Sequence, residues 1–458
     1  MKTGMSVRCA MTLWVGFLGL VLSGNGWAAQ EQRPQDTLRQ AVEQTCGKAE
    51  SRVCLKRAIE RRQLVGDVYE YSMQVQVGAG SHDVVTLHRV VREVSAGTPA
   101  RAPKSVFMVH GDVWNFRGAF LPSVDSGAVA PGQSIAIYLA QQGVDVWGID
   151  LRWANVPVGT SDFAFMKDWN LGTHVQDVGL GLAVARVART LTGSGAGPMN
   201  LMGWSRGALV AYAYANAETR LPAGLRQVSG LIPVDMLLKF APEDDALRQA
   251  ACGRAAYLKQ EFLAKKVYEG GSLGPASGML VQWIGSGALH APDAASSVPG
   301  LTNKQFALTM GAATFALAPP AVPFYHFQGG HFGPASDVTG LAFTNEQHFF
   351  KFLLKATPYQ SVTEIFETES LLCGESSPYD DHLRDIQVPV LYVGAAGGFG
   401  RNALHGLTRL GSKDVTVHMV QRYPDAYRAA DYGHADLFLA DDAAATVWAP
   451  MLQWIQRH

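Results

Sequence analysis

The chain has 458 residues, 48% of them hydrophobic and 17% charged, and a formal net charge of −1. Such a balance excludes a disordered chain, and with no long basic run it offers no electrostatic grip on nucleic acid or an anionic membrane surface. The length is ample for a large core, and no repeat period or low-complexity tract interrupts it.

At the N-terminus, Lys2 and Arg8 precede an apolar run from Ala10 to Leu22, and Gly26-Trp27-Ala28 then offers a small-x-small cleavage site. The run is short of the roughly 20 apolar residues that a membrane span needs, so residues 1–28 read as a signal peptide. Export to the periplasm or the medium follows as an expectation, with no membrane attachment after cleavage. Export also sets how the remaining cysteines read. Cys46, Cys54, Cys252 and Cys373 form an even set in an oxidising compartment. Three pairings are open. Cys46 with Cys54 would staple the N-terminal segment, Cys252 with Cys373 would tie the ends of a long insertion, and free buried thiols are the alternative. No CxxC pair is present to suggest a metal.

Beyond the leader, residues 29–67 form an N-terminal segment in which Asp36 to Gln63 reads as a charged helix. "VYEYSMQVQVG" and "DVVTLHRVVREV" alternate like two paired strands. "SVFMVHG", "VDVWGIDLR", "MNLMGWS" and "QVSGLIPVD" are short apolar runs, as strands covered on both faces would be. Helical stretches separate them, among them "SIAIYLAQQG" and "THVQDVGLGLAVARVARTL". This alternation predicts an α/β fold with a mostly parallel, doubly wound sheet. Over residues 236–383 it breaks into Gly-, Pro- and aromatic-rich text, read as a mainly helical cap because a structureless loop of that length is implausible. Strands "VPVLYVGAA" and "VTVHMVQ" and a last amphipathic helix then resume the pattern, so the core comprises residues 68–235 and 384–458.

The sharpest local signal is Gly203-Trp204-Ser205-Arg206-Gly207, between a predicted strand and a predicted helix. Glycines are needed where a strand turns this tightly into a helix, and the bend lifts the serine hydroxyl clear of the sheet. A plain turn serine is the bland alternative, but the strand–turn–helix setting favours a nucleophile. A serine at neutral pH needs a base, and His434 in "DYGHADLF", after the last strand, can reach the carboxyl edge of a parallel sheet. At the end of "VFMVHGDVWNF", the backbone N–H of Asp112 is placed to pair with that of Arg206 as an oxyanion hole, with Val113 as the other possible donor. The Asp112 carboxylate is an anomaly beside a developing negative charge.

The order of HG loop, G-x-S-x-G elbow, acid and C-terminal histidine resembles the α/β-hydrolase superfamily over roughly residues 68–458. The resemblance implies an α/β-hydrolase fold with a cap, Ser205 as nucleophile, His434 as base, and Asp112 and Arg206 as oxyanion donors. Asp150-Leu151-Arg152 is similar to the family's D-x-R segment, to which no role is assigned. In one respect the chain departs from the pattern. Where the family commonly carries its acid, after "PVLYVGA", this sequence reads Gly394-Ala395-Ala396-Gly397-Gly398-Phe399-Gly400. Some members place the acid one strand earlier, and there "GLIPVD" ends in Asp235, which preserves the chain order. Asp380, Asp381, Glu375 or no acid at all stay open, as does a helix N-cap role for Asp235.

Trp114, Trp204 and Phe116 are candidates to line an acyl or aromatic pocket, although core packing explains each equally well. His326 and His331 lack the partners of a metal set, and His174 with Asp177 reads as a local polar pair. Neither a metal nor an organic cofactor is expected. The expected partner is a small-molecule ester or acyl substrate, and the oligomeric state is not legible. The resemblance implies an exported serine hydrolase of carboxylic esters or lactones. An acyltransferase or amidase, or a catalytically silent binding member, is the alternative.

Overall fold

In the computed structural model, the described residues are 34–46, 55–270, 277–317 and 320–458. The expected leader and Cys54 lie outside them. Helix α1 (Pro34–Cys46) is followed by strand β1 (Glu60–Val65), so the helix expected over residues 36–63 gives way to a shorter helix and a strand. The reason is visible in the pairing. "ERRQLV" runs antiparallel to β2 (Val68–Gln76) at the rim of the sheet, where its charged side chains remain largely in solvent. Charge on an edge strand guards its unpaired backbone.

Strands β2 and β3 (Val84–Ser95) form the expected antiparallel pair, with the short β4 (Thr98–Pro99) hung on β3. Then β5 (Ser105–Val109), helices α2 (Phe116–Phe120) and α3 (Ile135–Gln141), β6 (Asp145–Asp150), α4 (Leu171–Leu191), β7 (Met199–Trp204), α5 (Arg206–Glu218) and β8 (Val228–Val234) alternate. An insertion follows, with helices α6 (Asp245–Glu261), α7 (Gly278–His290), α8 (Asn303–Ala312) and α9 (Thr314–Leu317) ahead of a hairpin, β9 (Gly330–Phe332) and β10 (Val338–Leu341). Helices α10 (Glu346–Leu353) and α11 (Val362–Cys373) complete it. The core resumes with β11 (Val390–Ala395), α12 (Leu404–Leu407), β12 (Val415–Val420), α13 (Asp436–Leu439) and α14 (Ala449–Arg457).

The sheet runs in the order β1-β2-β3-β6-β5-β7-β8-β11-β12. From β6 to β12 every pairing is parallel. Period-2 alternation assigns its faces. On β5, Phe107 and Val109 join one core layer with α1, α4 and α5, while Val106 and Met108 join the other with α3 and α14. Because both faces are covered, these strands are continuous apolar runs.

A disulfide joins Cys252 in α6 to Cys373 at the end of α11, across a sequence separation of 121 residues. Cys46 is also disulfide-bonded. Near the antiparallel edge, His88 is fully buried between carboxylates, its Nδ1 2.8 Å from Glu70 Oε1 and its Nε2 3.1 Å from Asp150, while Arg117 Nε donates to the same Glu70 oxygen at 2.8 Å. Burial by itself would lower the imidazole pKa, but the Asp150 and Glu70 carboxylates outweigh it and raise it to about 9.

Two expectations follow. Replacing both Cys252 and Cys373 by alanine lowers stability by about 2–5 kcal/mol in denaturant titration, because opening so long a loop frees the unfolded chain; an unchanged midpoint would contradict this. The raised pKa of His88 makes its contribution complete below about pH 6.5 and lost as pH rises through about 9. Wild-type Tm should therefore fall more steeply than that of His88→Gln between those limits, and parallel curves would exclude the charged imidazole.

Candidate active site

The carboxyl ends of β5, β7, β8 and β11 lie side by side, so the residues just beyond them converge on one spot of the sheet edge. Ser205 follows β7 directly and precedes α5, with φ at 56°. A non-glycine residue is strained there, and the surroundings must hold it. They do so by close approach. A Cβ on Gly203 would lie 2.2 Å from the Gly207 carbonyl oxygen, and one on Gly207 would lie 2.4 Å from that of His110. The turn therefore closes only with glycine at both places. Val113 after β5 and Asp235 after β8 also have positive φ, at 53° and 44°, so strain gathers at three neighbouring strand ends.

Asp235 has no exposed surface. Its Oδ2 accepts from His434 Nδ1 at 2.7 Å and from the Phe399 N–H at 3.2 Å. Its Oδ1 accepts from the N–H groups of Ala395 and Gly400 at 2.9 and 3.1 Å. The glycine-rich segment that lacks an acid is thus the cradle of one, since a Cβ on Gly398 would fall 1.9 Å from Asp235 Oδ2. That carboxylate accepts four hydrogen bonds, three of them from backbone N–H groups. It can only accept, so His434 Nδ1 must carry the proton and Nε2 is the basic nitrogen.

His434 is buried, and its ring stacks on Trp204, the residue before the serine, at 5.1 Å between centroids. Its loop is pinned to the insertion. The N–H groups of His434 and Ala435 donate to the carbonyls of His326 and Phe327 at 3.0 and 2.8 Å. Asp436 accepts from the Gly329 and Gly433 N–H groups at 2.6 and 2.7 Å. His326 is a structural residue, with its two nitrogens 2.7 and 2.8 Å from the carbonyls of Phe324 and Asp431. His174 lies 4.0 Å from Asp177 and 3.4 Å from Glu364 of the insertion. Among the described residues no cluster of three or more histidines, cysteines or carboxylates could hold a metal ion.

At the end of β5, His110 donates from Nδ1 to the Gly111 carbonyl at 3.0 Å and accepts the Leu151 N–H on Nε2 at 3.1 Å. Burial lowers the pKa of this ring, in keeping with its neutral form. The Val113 N–H is taken by Gln360 Oε1 at 3.1 Å, which leaves Asp112 as the better-placed donor of the two. The Asp112 carboxylate has a partner of its own, Arg206 Nε at 2.6 Å. Arg206 also reaches Thr368 Oγ1 and lies 3.7 Å from Glu369. Burial would lower the guanidinium pKa, but the Asp112 and Glu369 carboxylates outweigh it and keep it charged.

A cavity of about 200 Å³ opens onto Ser205, Asp112 and Arg206. Met236, Phe315 and Leu372 form part of its apolar wall, and Tyr325 and Phe399 line it while packing against the His434 ring. The three aromatics expected there do not line it. Trp114 stacks on Phe352 in the core, Phe116 packs on His88, and Trp204 lies beneath His434. The lining comes instead mainly from the insertion and from strand-end loops, in text with no period to read. For the same reason, nothing in the sequence marks Gln360, Thr368 or Glu369.

No known family profile matches the sequence, and no curated protein is detectably similar to it. Solved structures do match. One described as a "putative lipase" from Sulfolobus solfataricus aligns over 89% of this chain and 97% of its own, with a TM-score of 0.56 at 17% identity. A soluble variant of monoglyceride lipase from Saccharomyces cerevisiae aligns over 90% and 97%, with a TM-score of 0.42 at 13% identity. The first of these shows a shared architecture. With the sheet order and the strand–elbow–helix, it establishes that the chain has the α/β-hydrolase fold its motifs resemble.

The cradle is directly testable. Gly398→Ala should displace the Asp235 carboxylate and lower stability by about 1–3 kcal/mol, the range for overpacking a filled site. A thermal midpoint equal to that of the wild type would show that the cradle yields freely.

Proposed function

We propose that the protein is an exported serine hydrolase that cleaves small carboxylic esters or lactones through an acyl-enzyme. The observation that carries this reading is the 2.7 Å contact between Asp235 and His434 Nδ1 in a buried site beside the strained Ser205 elbow. Ser205 Oγ attacks the acyl carbon as His434 Nε2 takes its proton, and the imidazolium so formed is stabilised by Asp235. The carbonyl oxygen becomes an oxyanion facing the N–H groups of Asp112 and Arg206. As the first residue of α5, Arg206 has an N–H with no acceptor inside the helix. The leaving alkoxide collects the proton from Nε2. Water, deprotonated by the same nitrogen, then attacks the acyl-enzyme and releases the acid.

The cavity of about 200 Å³ is smaller than typical ligand pockets of about 300–1,000 Å³, which favours short acyl chains. Its Met236, Phe315 and Leu372 wall suits an apolar acyl group. Export is supported by the leader-like N-terminus and by the disulfides, which persist in oxidising compartments. No sequence feature supports nucleic acid as a partner.

Wild-type protein should hydrolyse p-nitrophenyl acetate or butyrate and be labelled at Ser205 by a fluorophosphonate probe, while Ser205→Ala does neither. Hydrolysis retained by Ser205→Ala would remove the nucleophile. Asp235→Asn should lower kcat by about 10³-fold or more, because the amide no longer fixes the tautomer or offsets the imidazolium; an unchanged kcat would move the acid elsewhere.

A further inference from the structure

We propose that the Arg206 side chain is a charge-compensating positioning residue, neutralising the Asp112 carboxylate next to the N–H that receives the oxyanion. The proposal rests on the hydrolase reading above. Asp112 contributes opposing groups to one small cavity, a backbone donor that would attract the developing charge and a carboxylate that would repel it. That carboxylate is not withdrawn into the core, since the side chain keeps 31% of its surface exposed and lines the cavity beside Ser205. In a poorly hydrated site a bare like charge opposes the transition state more than the ground state, because the negative charge on the acyl oxygen grows during attack.

Arg206 counters this from the elbow itself. Its Nε donates to Asp112 Oδ1 at 2.6 Å, and Gln360 Nε2 donates to the same oxygen at 2.5 Å. The signs then alternate outward. Arg206 lies 3.7 Å from Glu369, whose other oxygen accepts from Arg254 at 3.0 Å. Arg254, Glu369, Arg206 and Asp112 thus sum to zero, and removing Arg206 alone leaves one uncancelled negative charge facing the cavity. Position is a separate matter from charge. Gln360 and Thr357 hold the strained Val113 at both its N–H and its carbonyl, at 3.1 and 2.6 Å, so the oxyanion loop keeps its shape without Arg206.

A double-mutant cycle on the full mature chain separates these roles. Arg206→Met retains the backbone N–H and should lower kcat for a short p-nitrophenyl ester by about 100-fold, with KM changed less than about threefold. Asp112→Asn alone should remain within about tenfold of wild type, since an amide oxygen is still available to Gln360. The combination D112N/R206M should recover kcat to within about tenfold of wild type. A purely structural brace predicts the reverse, a double variant as slow as R206M or slower, and that result would overturn the proposal. Should R206M fail to fold by circular dichroism, R206Q with and without D112N gives the same comparison, and R206K, which keeps the charge, should retain most of kcat. A wild-type protein inert to an ester panel and to fluorophosphonate would sink the hydrolase reading and this proposal together. An active wild type without rescue would sink this proposal alone.

Discussion

A carboxylate with no exposed surface has lost the water that would hydrogen-bond it, and for Asp235 the protein replaces that water with three backbone N–H groups and one imidazole. The remaining site geometry depends on this contact. It draws the loop after β12 across the end of β8, fixes which nitrogen of His434 is basic, and requires a side-chain-free segment after β11. The same segment that lacks an acid is what makes room for the carboxylate at the end of the neighbouring strand.

Parallel strands supply the rest. Their carboxyl ends lie in register, so residues far apart in the chain become neighbours with no long reach by any side chain. Val113, Ser205 and Asp235 each adopt positive φ at adjacent strand ends. Such strain persists where packing over-determines it, and here two glycines pressed against neighbouring backbone do so.

The insertion does more than cover the sheet edge. It clamps Val113 through Thr357 and Gln360, pins the His434 loop through His326 and Phe327, and supplies Thr368 and Glu369 to Arg206. Its α6 and α11 are joined by the Cys252–Cys373 disulfide. The cavity wall and the charges around Asp112 therefore both depend on this segment, although none of the three residues expected to be catalytic lies within it.

What the sequence determined by itself was whatever a short window can encode. Period and apolar content marked the buried strands, glycine spacing around Ser205 marked a bend that only glycine permits, and the end of "GLIPVD" placed Asp235 at a strand terminus. The edge strand at 60–65 reads as helix in the sequence because its charges resemble a solvated helix until a partner strand is known. Tertiary structure alone decided that Asp235 meets His434, that Asp112 is matched by Arg206, and that Trp114 and Phe116 belong to the core. Those outcomes join residues separated by tens to hundreds of positions, and side-chain type carries no record of which distant partner will fill a cavity or cancel a charge.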